Sequence, residues 1–490
     1  MLKSAMLEVL RTFSDEEYIK FGHFIKSTYH NKNTNAVRLF SEIKKYAPGF
    51  AGEELGKENV WKKLFPGKEY NYGTMKNIIH ELSKLAMKFI VLEEFEENML
   101  EKDIMLMNCL NERNISKLFY VKMNEIEREY SKISFSKDYF FINDFYNAYS
   151  KIKWIEIYHS RANKLDNVTE KDLIAGSSAF IYTFLIYLFK YYNNVLTDSL
   201  THNFSMEKNV LPVFLKEISP EIIDRLLAVI KVNSERDYKI LSVFWKMSKS
   251  QLNNDNVEYF YDFKKALHQN VGLFSRWDAK DLFSLMANSA GNINPSKINT
   301  DRELFEISDT MLNNNILFNR DGTMSVLDFQ LYLWRAFNVN EFEAIRKFRD
   351  KYINKIPQES IDYLRNLSDS YLLFGEGKFE KVLEIISRLQ SPDFSLKVKM
   401  KHIRAMCLYE LKDQLTFFSE YKSIYHFLRN NKSLSMKVKN DTKRLFEYIK
   451  KMFRLTDDFD KYEFEMLRNE INNSSLNKSS WLNRKIVEFS

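Results

Sequence analysis

Apolar residues recur along most of this chain at three-to-four spacing, the pattern of helices that bury one face. In GTMKNIIHELSKLAMKFIVLEEFEENM, Ile78, Leu82, Leu85, Phe89 and Leu92 fall on one stripe and predict a long helix. Upstream, Ser14-Asp15-Glu16-Glu17 reads as a capping box, in which the Ser14 hydroxyl and the Glu17 carboxylate satisfy amides that a first helical turn leaves unpaired. EEYIKFGHFIKSTY then forms the first helix, TNAVRLFSEIKKY the second up to Pro48-Gly49, and KENVWKKLF a short third ended by Pro66-Gly67. Residues 1–97 are therefore expected to form a four-helix module.

From 98 to 270 the pattern predicts long helices with few breaks: ISKLFYVKMNEIEREYSK, KDYFFINDFYNAYSKIKWIEIYHSRA, IIDRLLAVIKV and ERDYKILSVFWKMSKSQ. Pro212 and Pro220 are expected to bracket a short connector. Between Asp172 and Lys190 lie 17 uncharged residues, LIAGSSAFIYTFLIYLF, at the short limit of a membrane span. Gly176, Ser177, Ser178 and Thr183 interrupt it and no second span accompanies it, so a buried central helix is expected rather than a membrane crossing.

Residues 271–490 carry a repeat. WRAFNVNEFEAIRKF from Trp334, YLLFGEGKFEKVLEI from Tyr371 and CLYELKDQLTFFSEY from Cys407 overlay as hairpins, with Phe342, Phe379 and Leu415 equivalent and periods of 37 and 36 residues. That is close to the tetratricopeptide period, in which each helix pair buries its apolar face against its neighbours. LFSLMANSAGNIN from Leu282 and LFEISDTMLNNN from Leu304 read as an earlier, worn copy, for roughly five hairpins in all.

Composition agrees with helix throughout. Only 12 Gly and 7 Pro are present in 490 residues, too few for the turns that β-rich folds require. The expected fold class is all-α: an N-terminal helical bundle module followed by an α-solenoid of tetratricopeptide-like hairpins. Two cysteines, Cys109 and Cys407, exclude a disulfide framework or a multi-cysteine metal site and fit a reducing compartment. The opening MLKSAMLEVLRTFSDEE meets Glu8, Arg11 and Asp15 before any secretory-length apolar run, so no signal peptide is expected and the expected location is cytoplasmic.

The segments FSDEEYIKFGHFIKSTYHNKN and LFPGKEYNYGTMKNIIHELSKL near the start, and NEFEAIRKFRDKY and LRNNKSLS near the end, resemble a family of all-helical, tetratricopeptide-like repeat proteins of Bacteroidota and related bacteria. His30 stands where that pattern has an aromatic residue. The resemblance covers both ends, leaves the middle loose, and implies a helical, repeat-like fold with no assigned activity and no site residues.

Motifs of chemistry are missing from the sequence. There is no GxxxxGK[ST], GxGxxG, GxSxG or HExxH, and the eight histidines never pair at three or four residues, so no helix face offers two imidazoles to a metal. His80-Glu81 lacks a second His, and His80 reads as a helix-surface or packing residue. In NRDGTMSVLD, placing Gly322 at the sixth position of a calcium loop puts Leu317 where the first carboxylate belongs, so a turn with Ser325 or Thr323 capping the next helix is expected. No catalytic residue, cofactor or metal is expected, and the chain is expected not to be an enzyme.

Charge supplies the one sharp feature. Residues 422–454 hold ten Lys and Arg against two Asp and Glu, a net +8 where the whole chain carries +7. On a helical wheel of MKVKNDTKRLFEYIKKMFR, Val438, Leu445, Ile449, Met452 and Phe453 share one half, while Lys437, Lys439, Lys443, Arg444, Lys450, Lys451 and Arg454 share the other. Such a face suits an anionic partner or plain solvation. A second nucleic-acid candidate, KENVWKKLF and the following helix with Lys76, Asn77, His80 and Lys84, has helix-turn-helix flavour, but residues 1–97 carry 15 basic against 14 acidic side chains and the connector PGKEYNYG is long. The expected function is protein–protein interaction on a helical-repeat scaffold; the alternative is binding of nucleic-acid phosphates by the basic C-terminal helix.

Overall fold

A computed structural model describes residues 5–136, 140–164, 168–201, 210–253, 256–294, 297–389, 394–431, 434, 436–472 and 480–488. The fold is all-α; among the described residues the one β-type pairing is an isolated bridge between Phe318 and Met324. The chain divides into two compact units, the first made of residues 1–128 and 151–168 and the second of 129–150 and 169–490.

The first unit contains α1 (Ala5–Leu10), α2 (Asp15–Lys26), α3 (Thr34–Ile43), α4 (Lys57–Leu64), α5 (Tyr72–Glu97), α6 (Met99–Glu112), most of α7 (Ser116–Tyr130) and the second half of α8 (Ile142–Ala162). The capping box at Ser14 is present in both directions, Glu17 N–H donating to Ser14 Oγ and Ser14 N–H to Glu17 Oε2. α1, absent from the periodicity reading, is pinned to α2 by the Tyr18 hydroxyl donating to the Leu10 carbonyl at 2.5 Å. Phe21 is the hub of the core, meeting Phe40 at 4.9 Å, Phe89 at 5.3 Å and Phe13 at 5.5 Å between ring centroids. Each such contact adds about 0.5–1.5 kcal/mol beyond area burial. The His30 imidazole stacks on Phe24 at 4.4 Å, filling an aromatic role. On α8, Lys153 is 1% exposed and its ammonium bonds to Glu127 and, at 3.0 Å, to the buried Glu156.

The second unit adds α9 (Glu170–Thr201), α10 (Val210–Glu217), α11 (Pro220–Asn233), α12 (Glu235–Leu252), α13 (Val257–Asn270), α14 (Arg276–Asn292), α15 (Thr300–Asn313), α16 (Val326–Asn338), α17 (Phe342–Tyr352) and α18 (Ile361–Gly375). It ends with α19 (Phe379–Arg388), α20 (Phe394–Glu410), α21 (Gln414–Asn430), α22 (Met436–Asp457), α23 (Lys461–Asn472) and α24 (Ser480–Glu488). The stretch expected to be a connector is helix α10. Pro212 stands in its first turn, where an amide hydrogen has no helical partner to lose, and Pro220 opens α11 for the same reason. From α11 to α23 every helix packs on the next, and α12 also meets α14, α16 meets α18, and α20 meets α22.

One buried carboxylate organises the start of this unit. Asp278, fully buried in the first turn of α14, accepts from its N-cap Ser275 hydroxyl (2.8 Å), the Ile142 amide that opens α8 (2.8 Å) and the Lys190 ammonium of α9 (2.6 Å). Lys190 also donates to Asn143 at 3.1 Å and lies 4.4 Å from the Phe141 ring centroid.

A single turn design recurs between helices. Asn315, Asn340, Gly377 and Lys412 all sit at left-handed φ, between 57° and 74°. In each case the next amide reaches back five residues: Ile316 to Met311, Glu341 to Ala336, Lys378 to Leu373 and Asp413 to Leu408, at 2.8–2.9 Å. This closure satisfies carbonyls that a helix end otherwise leaves unpaired. It also corrects the repeat register: α17, α19 and α21 start two residues after the left-handed position, at Phe342, Phe379 and Gln414. Leu415 is one residue out of place and 89% exposed, because the turn and not apolar likeness sets the register.

Gly375 ends α18 directly under Phe342; an added Cβ would stand 2.8 Å from three atoms of that ring. Gly375→Ala is expected to destabilise the second unit by about 1–3 kcal/mol through overpacking, measured as a lower thermal midpoint, whereas the same change at the open Gly291 has no clash to relieve.

Candidate interaction surfaces

The basic helix singled out in the sequence is α22. It buries Thr442, Leu445, Phe446, Ile449, Met452 and Phe453 and leaves Val438 exposed. Of its basic residues, Arg444 and Arg454 are exposed, Lys439, Lys443, Lys450 and Lys451 are half-buried, and the side chain of Lys437 lies outside the described residues. The outer half is not purely cationic. Lys451 is paired bidentately with Glu470 of α23 at 2.7 and 2.8 Å, Lys450 lies 3.8 Å from Glu447, and Arg444 lies 3.8 Å from Asp441.

α21 modifies this face further. Tyr421 and Tyr425 both donate to Glu447 Oε1, the second at 2.8 Å, while the Lys450 ammonium sits 4.7 Å from the Tyr421 ring centroid and Lys443 5.8 Å from that of Tyr425. Burial works to raise the Glu447 carboxyl, but the two phenol hydrogen bonds and the Lys450 and Lys451 charges hold it below its ordinary range. Burial pushes the Tyr421 hydroxyl up, as does its hydrogen bond to Glu447. The ring faces on which a base would stack are therefore already engaged by the protein's own ammonium groups.

α22 is joined to α20 by His402, whose Nε2 lies 3.0 Å from Thr442 Oγ1. Burial, with a smaller push from Lys399, lowers the imidazole pKa to about 4. A proton then binds the unfolded chain more readily than the folded one, so stability is held above about pH 6.5 and lost as pH falls towards 4. The shift corresponds to roughly 3 kcal/mol, reduced to about 2 kcal/mol because the residue is partly exposed to screening solvent. His402→Gln is expected to remove that part of the acid destabilisation in unfolding curves recorded at pH 7 and pH 5.

An apolar surface stands elsewhere in the second unit. α9 buries Tyr182, Leu185, Ile186, Phe189 and Asn193, with Phe189 against Trp245 of α12 at 5.5 Å. Its other side leaves Leu173, Phe180 (61% exposed), Phe184 and Tyr191 (60%) in solvent. Phe214 of α10 meets Phe184 edge-on at 5.9 Å and is itself exposed, as are Val210 and Val213. α11, held to α12 by Trp245 Nε1–H donating to Asp224 at 2.8 Å, leaves Ile222, Leu226 and Val229 outward at helical spacing. The helix expected to be buried all round is thus buried chiefly on the side that α12 covers, and the opposite side, met by Phe214 of α10, keeps an exposed apolar stripe. Among the described residues α9 is also long and apolar enough to cross a membrane, by length and composition.

Several other candidates resolve into structural roles. Asp321 accepts from the Thr323 amide and hydroxyl at 2.9 and 2.6 Å, and Ser325 caps α16 through the Asp328 amide at 3.1 Å, so the calcium-like segment is a turn and a cap. On α5, Lys76, Asn77 and His80 are exposed and Lys84 lies 3.5 Å from Glu81. One arrangement the sequence did not suggest is Ser116–His159–Asn111, with both imidazole nitrogens 3.0 Å from an oxygen. His159 is fully buried under Phe119, stacked at 4.1 Å, and burial lowers its pKa. A ring so enclosed has its hydrogen bonds satisfied internally and is a core histidine.

With these geometries in view, comparison with protein-family models, with curated proteins and with solved structures finds no match to this chain.

Proposed function

We propose that the chain is a non-enzymatic, protein-binding scaffold in which an N-terminal helical module is joined to an α-solenoid of tetratricopeptide-like hairpins. Supporting the solenoid are the repeated left-handed turns and the packing of each helix on its sequence neighbours from α11 to α23. The observation that carries the function is the solvent-facing stripe of α9, Leu173, Phe180, Phe184 and Tyr191. Its steps of seven, four and seven residues are those of a helix-packing seam. The partner of matching chemistry is a protein presenting an amphipathic helix, whose apolar side lays into the stripe and whose polar side stays in water. Burying one such aromatic side chain contributes about 1.5–3 kcal/mol, and a stripe of several supplies the apolar anchors of such an interface. The internal pairing of Lys450, Lys451 and Arg444 weighs against α22 as a phosphate-binding face.

The test is affinity capture from the native host's lysate, with and without nuclease and at two salt concentrations, comparing the wild type with Phe180→Glu/Phe184→Glu and with Lys443→Glu/Lys450→Glu. A discrete protein set that survives nuclease and salt, disappears with the α9 variant and persists with the α22 variant is the expected result. Recovery of nucleic acid that is lost at higher salt and with the α22 variant alone would overturn the reading.

A further inference from the structure

The first unit holds a cleft of about 550 Å³ between α1, α4 and α5. α5 supplies one wall: Tyr72, Lys76, His80 and Ser83 recur at helical spacing and so share a face, with Asn77 beside them. Lys57 faces them from the first turn of α4, its ammonium 5.2 Å from the Tyr72 ring centroid. Ala5 is the exposed apolar residue of the lining, while Met6 and Ile79 are buried.

The charge of this lining is one-sided. It contains two ammonium groups, an imidazole, a carboxamide and two hydroxyls, and no carboxylate. Elsewhere in the unit, Lys63 is paired with Glu42 at 3.0 Å and Glu54 at 3.3 Å, and Lys20 with Glu93 at 3.0 Å. Neither Lys57 nor Lys76 has a carboxylate within salt-bridge distance among the described residues. Glu58, in the same first turn of α4 as Lys57, is exposed and does not line the cleft. Cations gathered in a concave site without counter-charge repel one another, and an anionic ligand relieves that repulsion.

We propose that this cleft binds a small phosphorylated molecule, its phosphate held by Lys57 and Lys76 and its body lying against Ala5 and Tyr72. A phosphate monoester carries about −1.5 to −2 charges and three acceptor oxygens, which match two ammonium groups with Asn, Ser and His donors beside them. The volume lies within the roughly 300–1,000 Å³ of small-molecule sites. A nucleic-acid chain is disfavoured because residues 1–97 carry 15 basic against 14 acidic side chains, without the positive excess of a phosphate-backbone binder. The site shares no residue with the α9 stripe and stands or falls independently of it.

Isothermal titration of the full chain with inorganic phosphate, ribose 5-phosphate, adenosine monophosphate and adenosine, each at millimolar concentration, tests the proposal. Binding of at least one phosphate compound at one site per chain, with adenosine inert, is expected, together with a loss of affinity of about tenfold or more in Lys57→Ala/Lys76→Ala. Lys347→Ala, a change at an exposed residue of α17, is expected to leave the affinity unchanged. Circular dichroism of the double variant checks that it is folded. No binding by any phosphate compound, binding unaltered in the double variant, or tighter binding of a single-stranded oligonucleotide than of all three phosphate compounds would each overturn it.

Discussion

Asp278→Ala is expected to loosen α9 and α14 by about 3–5 kcal/mol, seen as faster native-state hydrogen exchange in both helices. The variant removes the acceptor for the Ile142 amide, the Ser275 hydroxyl and the Lys190 ammonium at once, leaving the last a half-buried cation without its main counter-charge. Asp278→Asn keeps an acceptor for two of the three donors, and its cost is expected to be smaller. Combining Asp278→Leu with Lys190→Met removes the charge pair as a unit and is expected to recover part of the loss. Because Lys190 lies on the helix that carries Phe180, Phe184 and Tyr191, the same loosening is expected to weaken partner capture without any change to the apolar stripe itself. Unchanged exchange in α9 would show that the helix is held by its apolar contacts, chiefly with α12, and not by the Asp278 charge pair.

Lys153→Ala in the first unit is expected to cost a similar 3–5 kcal/mol, read as a fall in the urea midpoint of that unit's transition. Lys153 is more deeply buried than either carboxylate it bonds to, and its loss takes away the ammonium that faces Glu156 in a site with little access to water. Lys153→Met/Glu156→Leu is expected to restore most of the stability, since an apolar pair of similar volume fits where the ions stood; Glu127 remains in solvent and needs no partner. A double variant as unstable as the single one would place the cost in packing and not in charge.

Local signals were legible and tertiary ones were not. The Ser14 capping box lies within four consecutive residues, and the stripe of α5 follows from its own period. α10 was hidden because Pro212 punctuates a sequence without breaking a first helical turn. The shift from Leu415 to Gln414 arises in the same way: leucine resembles phenylalanine in character, whereas the register depends on the left-handed Lys412, a residue with no turn preference. The exposed side of α9 could not be read because nothing in LIAGSSAFIYTFLIYLF states which face α12 covers; the spacing of Leu173, Phe180, Phe184 and Tyr191 was the available sign. Similarly, the wheel of α22 showed its lysines but not Glu470, which α23 brings against Lys451. Lys57 and Lys76 are 19 positions apart in sequence, and their shared cleft emerges only when α4 and α5 are both in place.

The succession of helices from α11 to α23, each against the one just before it, also has a kinetic meaning. Closing a contact between chain segments costs entropy that grows with the length of chain between them, and here that length is one hairpin. Native structure can therefore accumulate as each helix leaves the ribosome, without waiting for the C-terminus, and the unpaired apolar face of the newest helix is sheltered as soon as the next arrives.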